Sequence, residues 1–170
     1  MRVRLGFTAM VTAGALLLGA PPAMAGDASG TAMTAAQARK VYLKAVCPVD
    51  DAIDALMDAQ SAPGATWVSV QPLVQQLADE QMREADMLTH PKKPWPADVR
   101  EYIPAVAELQ LIQAGSNDVL AGASSLEEYN ALIKELVKKL PAPVKAHLKS
   151  FMKAKVVIRK RLGLPKNRIC

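Results

Sequence analysis

The sequence predicts an all-α fold, an up-and-down bundle of four to five helices with proline kinks that is closed by one disulfide. Three observations predict it. Apolar residues recur three and four positions apart in five segments, and no segment shows the strict alternation of a strand. Prolines and glycines separate these segments, as expected for the short connections of a helical bundle. Two cysteines, Cys47 and Cys170, lie far apart in the chain.

The first 25 residues have the pattern of a secretory signal peptide. Two arginines precede an apolar run over 5–20, and Ala23 and Ala25 form an A-x-A cleavage pattern. The alternative, a single membrane anchor, requires about 20 continuous apolar residues without such a cleavage pattern. Cleavage after Ala25 predicts a secreted, extracellular or cell-envelope-associated protein. We expect 26–33 to be a flexible leader and 34–170 to be one helical-bundle domain with no membrane span.

The first predicted helix begins at a capping box made by Thr34 and Gln37. Pro48 falls inside its apolar stripe, where it predicts either a kink or the start of a second helix. The sequence Ala-Pro-Gly at 62–64 ends the segment. The apolar stripe of this first helix consists of Tyr42, Val46, Val49, Ile53 and Leu56 or Met57.

The second helix is predicted to start at Ser69, because this start places Pro72 in the first turn, where a missing N–H is tolerated. Residues 78–86 are expected to form its solvent-exposed side. A third helix is predicted from Pro96, with a kink at Pro104. The stretch 115–122 fits either a loop or a helix that continues through two glycines.

The fourth helix carries the clearest periodicity, and Ser124 with Glu127 or Ser125 with Glu128 can cap it. Its apolar face consists of Leu126, Tyr129, Ile133, Leu136 and Leu140. Prolines at 141 and 143 separate it from a last helix that Gly163 ends. The apolar face predicted for the last helix consists of Val144, Leu148, Phe151, Ile158 and Leu162, and Met152 is interpreted as core filler.

The two cysteines predict a disulfide, because thiols in an oxidising compartment are expected to pair. A Cys47–Cys170 bridge would attach the chain end to the first helix. An intermolecular disulfide through the terminal Cys170 is the alternative.

The charge is unevenly distributed along the chain. Residues 141–170 hold six lysines, three arginines and no acidic residue, a formal charge of +9, whereas 26–140 hold ten basic and sixteen acidic residues, a charge of −6. On a helical wheel Lys145, Lys149, Lys153 and Lys160 share one face, and Lys155 falls within the apolar arc. This basic helix either complements acidic helices within the bundle or contacts anionic partners such as lipid headgroups or wall polymers. Nucleic acid ranks last, since Phe151 is the only aromatic residue of this segment.

No pattern in the sequence predicts catalysis, a metal or a cofactor. The two histidines, His90 and His147, lie 57 residues apart with no histidine partner, and no glycine-rich phosphate loop or nucleophile turn is present. Asp50, Asp54 and Asp58 recur every four residues, which is typical of a solvated helix face.

Two short stretches of the chain resemble motifs of a known group of proteins. With Cys-Pro at 47–48 and Arg-x-x-Leu-Gly-Leu-Pro at 159–165 before Cys170, the chain resembles uncharacterised secreted proteins and lipoproteins of high-GC Gram-positive bacteria. Asp50 stands where members often carry asparagine, and no cysteine for a lipid anchor follows the apolar run. The resemblance implies a disulfide-stapled helical bundle and no known activity.

Three function classes follow. The first is a non-enzymatic interaction module of the envelope or extracellular space, whose basic helix makes the contact. The second is a carrier of a small apolar ligand, in a pocket lined by Ile53, Ile103, Val106 and Phe151. The third, a hydrolase, requires His147 to lie beside a serine or an aspartate.

Overall fold

The structure is a computed structural model that describes residues 30–138, 142–165 and 170. Every regular element within these residues is a helix, and five long helices and one short helix pack together. The helices are α1 (Ala35–Ser61), α2 (Trp67–Thr89), α3 (Ala97–Arg100), α4 (Ile103–Ala121), α5 (Leu126–Lys138) and α6 (Ala142–Arg161). The predicted all-α bundle is confirmed. The predicted signal peptide lies outside the described residues.

Helix α1 begins as predicted and continues through its proline. The Thr34 side chain accepts a hydrogen bond from the Gln37 N–H at 3.2 Å, and the Gln37 side chain accepts one from the Thr34 N–H at 3.0 Å. Pro48 lies inside the single helix, so no second helix starts there. One residue before the cap, Met33 is buried and its N–H donates to the Pro94 carbonyl at 2.8 Å. The chain is therefore already packed against the rest of the bundle at Met33.

One predicted helix start and one predicted kink, both near prolines, were wrong. Helix α2 begins at Trp67, two residues before the predicted Ser69. The Ser69 side chain accepts a hydrogen bond from the Thr66 N–H at 3.2 Å. Ser69 therefore caps the first turn of the helix from inside it, and Thr66 is the N-cap residue. The predicted third helix is two helices, α3 and α4, separated by a turn at 101–102. Pro104 lies in the first turn of α4, where no N–H is needed, so the chain restarts a helix there instead of kinking one.

The two glycines that left 115–122 undecided lie in different settings. Helix α4 continues through Gly115 and ends at Ala121, with Gly122 as its C-cap. The next helix, α5, is capped by the Ser125 side chain, which accepts from the Glu128 N–H at 3.1 Å. The Glu128 carboxylate in turn accepts from the Ser124 N–H at 2.8 Å, so both predicted cap serines take part. Leu140, predicted on the apolar face of this helix, lies outside the described residues.

The core is divided into two hydrophobic clusters along the bundle. Helix α2 makes its most extensive contacts with α4 and then with α1, and α6 packs against α4 and α3. The first cluster joins α1, α2, α3, α4 and α6 around Tyr42, Leu88 and Ile158. The second joins α1, α2, α4 and α5 around Val74 and Tyr129, whose ring lies 5.3 Å from the Trp67 ring. Among the described side chains, those of α6 pack in the first cluster and none belongs to the second.

A disulfide joins Cys47 in α1 to Cys170, with a Cα–Cα distance of 5.4 Å. The predicted intramolecular pairing is confirmed. None of the helices in the described ranges combines the length and the apolar content that crossing a bilayer requires.

A glycine in the left-handed region ends α6. The Leu164 N–H donates to the Arg159 carbonyl at 2.8 Å and the Gly163 N–H to the Lys160 carbonyl at 3.3 Å, with Gly163 at φ +63°. This pair of bonds is a Schellman motif. It turns the chain so that Leu164 returns to the core, where it is buried.

We expect Gly163→Ala to destabilise the fold by about 1 kcal/mol, because an L-residue is disfavoured at positive φ. A Cβ at this position would contact nothing within 4 Å, so the cost is one of backbone conformation. Gly115→Ala is the matched control: its Cβ also meets nothing, but Gly115 lies inside α4. There alanine should stabilise by about 0.5 to 1 kcal/mol. Urea unfolding measures the change in unfolding free energy for both variants. If both stabilise or both destabilise the protein, the positive-φ role of Gly163 is contradicted.

Candidate functional site

The four predicted contact lysines lie together on the solvent-exposed side of α6. The opposite side of the helix is buried in the first hydrophobic cluster through Phe151, Ala154, Ile158 and Leu162. We use the name outer face for the exposed side, which consists of Lys145, Leu148, Lys149, Met152, Lys153, Val156 and Lys160.

The lysines of the outer face are separate from the basic residues that face the bundle. Among the described residues, none of the four outer-face lysines forms an ion pair within 4.0 Å. By contrast, the half-buried Lys155 lies over the Phe151 ring, with its Nζ 5.3 Å from the ring centroid. Arg161 lies 4.0 Å from the Asp98 carboxylate. Part of the positive charge of α6 thus complements the bundle, and four lysines remain available to a partner.

Two apolar residues of α6 are more exposed than predicted. Leu148, assigned to the apolar face, has 43% of its surface exposed, and Met152, interpreted as core filler, has 56% exposed. Both predictions were wrong. Leu148 lies at the edge of the buried arc of the helix, and Met152 lies on the lysine side, away from the first hydrophobic cluster.

A second feature, which the sequence reasoning missed, is a polar group of side chains inside the bundle. We call Tyr42, Gln81, Glu84 and Gln110 the buried polar cluster, since each has at most 3% of its surface exposed. The Gln110 Nε2 donates to Glu84 Oε2 at 2.7 Å, and the Asn117 Nδ2 donates to Gln81 Oε1 at 2.8 Å. Within the described part of the chain, Tyr42 Oη, Glu84 Oε1 and Gln110 Oε1 have no hydrogen-bond partner. An ionisable carboxyl is therefore held in the core by one neutral amide.

Burial changes the acid–base properties of this cluster. It raises the pKa of Glu84 from 4.5 to about 7, although the nearby Lys155 ammonium and the hydrogen bond from Gln110 act in the opposite direction. Burial also raises the pKa of the Tyr42 hydroxyl, and the neighbouring Glu84 carboxyl adds to this increase. The carboxyl group thus changes its charge near neutral pH.

The sequence does contain a signal for the buried position of Glu84. Residues 77, 81, 84 and 88 are spaced four, three and four apart, so Gln81 and Glu84 lie on the same helix face as Leu77 and Leu88. Their polarity led to their placement on the solvent-exposed side of α2. That placement was wrong, because the period of the helix decides which side faces the core.

Each of the two histidines lies beside a carboxylate. His147 Nδ1 lies 3.1 Å from Glu108 Oε2 on α4, and His90 Nδ1 lies 2.9 Å from Asp86 Oδ1 at the end of α2. The partner of His147 is thus a glutamate, whereas the hydrolase hypothesis needs a serine or an aspartate beside it. No group of three or more potential metal ligands occurs in 30–138, 142–165 and 170.

The residues predicted to line an apolar pocket differ in their burial. Ile103, Val106 and Phe151 are packed in the first hydrophobic cluster, whereas Ile53 has 37% of its surface exposed. A surface cavity of about 310 Å³ lies elsewhere, between α2 and α4, and is lined by Val68, Gln71, Pro72, Gln75 and Ala121. The carrier hypothesis therefore gains no support from the position of its four residues.

No protein-family model matches the chain, and neither the curated proteins nor the solved structures include a match. The resemblance to secreted proteins of high-GC Gram-positive bacteria stays a prediction.

Proposed function

We propose that this protein is a secreted, non-enzymatic interaction module that contacts anionic surfaces of the cell envelope through the outer face of α6. The observation that carries the proposal is the set of four exposed lysines without ion pairs in the described residues. The target is a surface that carries many phosphate or carboxylate groups. Both lipid headgroups and wall polymers supply such groups. The signal-peptide pattern of 1–25 and the disulfide support an exported location.

The spacing of the lysines suits an extended surface better than a single small anion. Lys160 lies fifteen positions after Lys145, so at about 1.5 Å per residue the two are separated by roughly 22 Å along the helix. Each lysine near an anionic surface contributes about 1 kcal/mol to binding at moderate ionic strength. Four lysines acting together give a measurable affinity for an anionic surface. They give no such affinity for a neutral surface.

The test is sedimentation of the predicted mature chain, residues 26–170, with anionic vesicles, neutral vesicles and isolated cell wall. The quadruple variant K145Q/K149Q/K153Q/K160Q should bind an anionic surface about a thousandfold less tightly at low salt, because it loses four contributions of about 1 kcal/mol each. Binding of the unmodified protein should weaken as salt rises, since the Debye length falls from about 10 Å at 0.1 M to about 3 Å at 1 M.

A matched control separates this face from net charge. The variant K40Q/K44Q/K92Q/K93Q removes the same four charges from exposed lysines outside α6. It should retain most of the binding. Equal losses for the two quadruple variants, or no binding of the unmodified protein to any anionic surface at low salt, would contradict the proposal.

A further inference from the structure

Exposed apolar side chains lie between the lysines of the outer face. Leu148, Met152 and Val156 follow one another at four-residue spacing and have 43, 56 and 64% of their surfaces exposed. This spacing places them in one row along the helix, beside the row of Lys145, Lys149 and Lys153. The outer face is thus amphipathic within itself: its apolar row is not part of the buried side of α6.

The mixture of the two rows distinguishes between the anionic surfaces that the proposed function allows. A wall polymer offers charges in water and no apolar phase, so it would leave Met152 and Val156 exposed. A bilayer offers phosphate groups at its surface and hydrocarbon directly beneath them, which is the boundary at which amphipathic helices rich in lysine lie. Charge and apolar contact are then satisfied by the same partner.

We propose that the outer face of α6 binds an anionic lipid bilayer, with Met152 and Val156 inserted below the headgroups and the lysines at the level of the phosphates. This inference rests on the proposed function and names its target. The lysine stems are long enough to keep their ammonium groups at the headgroups while the apolar side chains between them lie deeper. The bundle remains folded on the surface, because the opposite side of α6 stays packed in the first hydrophobic cluster.

The first test compares M152S/V156S with V68S on vesicles of equal parts phosphatidylglycerol and phosphatidylcholine. The double variant should bind about tenfold less tightly, because its truncated side chains lose the free energy of leaving water. Val68 has 83% of its surface exposed and lies at the start of α2, so V68S removes an apolar side chain outside the outer face. Its affinity should stay within about twofold of the unmodified protein. Unchanged circular dichroism shows that each variant is folded.

The second test measures depth. A tryptophan introduced as Val156→Trp should be quenched by lipids brominated on their acyl chains, and one introduced as Val68→Trp should not. The unmodified protein, which has Trp67 and Trp95, provides the background signal.

Three outcomes would overturn the proposed insertion into a bilayer, and they differ in what they leave standing. If M152S/V156S binds vesicles as tightly as the unmodified protein while the quadruple lysine variant does not bind, the contact is electrostatic and nothing inserts. If the protein sediments with cell wall and not with vesicles, the target is a wall polymer. The proposed function survives in both cases. If the unmodified protein binds neither surface at low salt, the proposed function fails as well.

Discussion

Replacing both Cys47 and Cys170 by serine is expected to lower the free energy of unfolding by about 4 to 5 kcal/mol. The bridge spans 123 residues of sequence and joins the middle of α1 to the last residue of the chain. Closing a loop of this length removes many conformations from the unfolded chain, so unfolding gains less entropy when the bridge is present. For a chain of this size the melting temperature should fall by roughly 10 to 20 °C.

The variant should still fold, because the contacts of α6 do not depend on the bridge. Phe151, Ile158 and Leu162 remain buried against the first hydrophobic cluster. The loss is therefore expected in stability, with little change in helix content. The bridge acts mainly on the unfolded state, and the packing of α6 acts on the folded one.

Urea unfolding with and without reductant checks this expectation. The unmodified protein in reductant should match the double serine variant, and the single variants Cys47→Ser and Cys170→Ser should match it too when reductant prevents dimers. Peptide mapping without reductant should recover the Cys47 peptide joined to the Cys170 peptide. A midpoint that is insensitive to reductant, or a disulfide-linked dimer in place of the internal bridge, would contradict the structure.

The helices and their caps could be predicted because they depend on local sequence. The capping box of Thr34 and Gln37 and the terminal Gly163 act within a few residues, and both were correctly located. The errors at Pro72 and Pro104 have different causes. The start of α2 is decided by a side chain that caps the turn, Ser69. Helix α4 has no side-chain cap, and Pro104 lies in its first turn, where a proline is tolerated because no N–H is needed.

The candidate site was predictable in part for a different reason. Helical spacing places Lys145 and Lys149 on one face, and this follows from the sequence alone. Whether another helix covers a face depends on tertiary packing, which is why the exposure of Leu148 and Met152 was not foreseen. The burial of Glu84 was missed because residue polarity was given more weight than helical period.

The protein should become less stable as pH rises from about 4.5 to about 7, and Glu84→Gln should remove this dependence. The Glu84 pKa of about 7 in the folded state exceeds its ordinary value of 4.5, so the folded state binds more protons than the unfolded state between these values. Stability then falls with increasing pH in that window. At 1.36 kcal/mol per pH unit the total is about 3 kcal/mol.

Glu84→Gln keeps the acceptor for Gln110 Nε2 and cannot ionise. Above pH 7 the variant should therefore be more stable than the unmodified protein by about 2 to 3 kcal/mol, and near pH 4 the two should be similar. Urea unfolding at a series of pH values from 4 to 8 measures this difference. Glu127→Gln, at an exposed position in α5, is the control and should change stability by no more than about 0.5 kcal/mol. Parallel pH profiles for Glu84→Gln and the unmodified protein would show that Glu84 is not the titrating group.

A substitution of Lys155 tests the titration of Glu84 in a second way. Its ammonium favours the ionised form of Glu84, so Lys155→Met should destabilise the protein more at pH 8 than at pH 5, where the carboxyl is largely protonated. Methionine keeps an apolar stem beside Phe151, over which the Lys155 ammonium lies. In the Glu84→Gln background the pH dependence of the Lys155→Met cost should disappear, because no charge is left at position 84 for the ammonium to stabilise. A double-mutant cycle at the two pH values isolates this coupling, which we expect to be about 1 kcal/mol at pH 8. A cost of Lys155→Met that is equal at both pH values would mean that Lys155 acts through packing alone, and that α6 is held to the bundle without electrostatic coupling to its core.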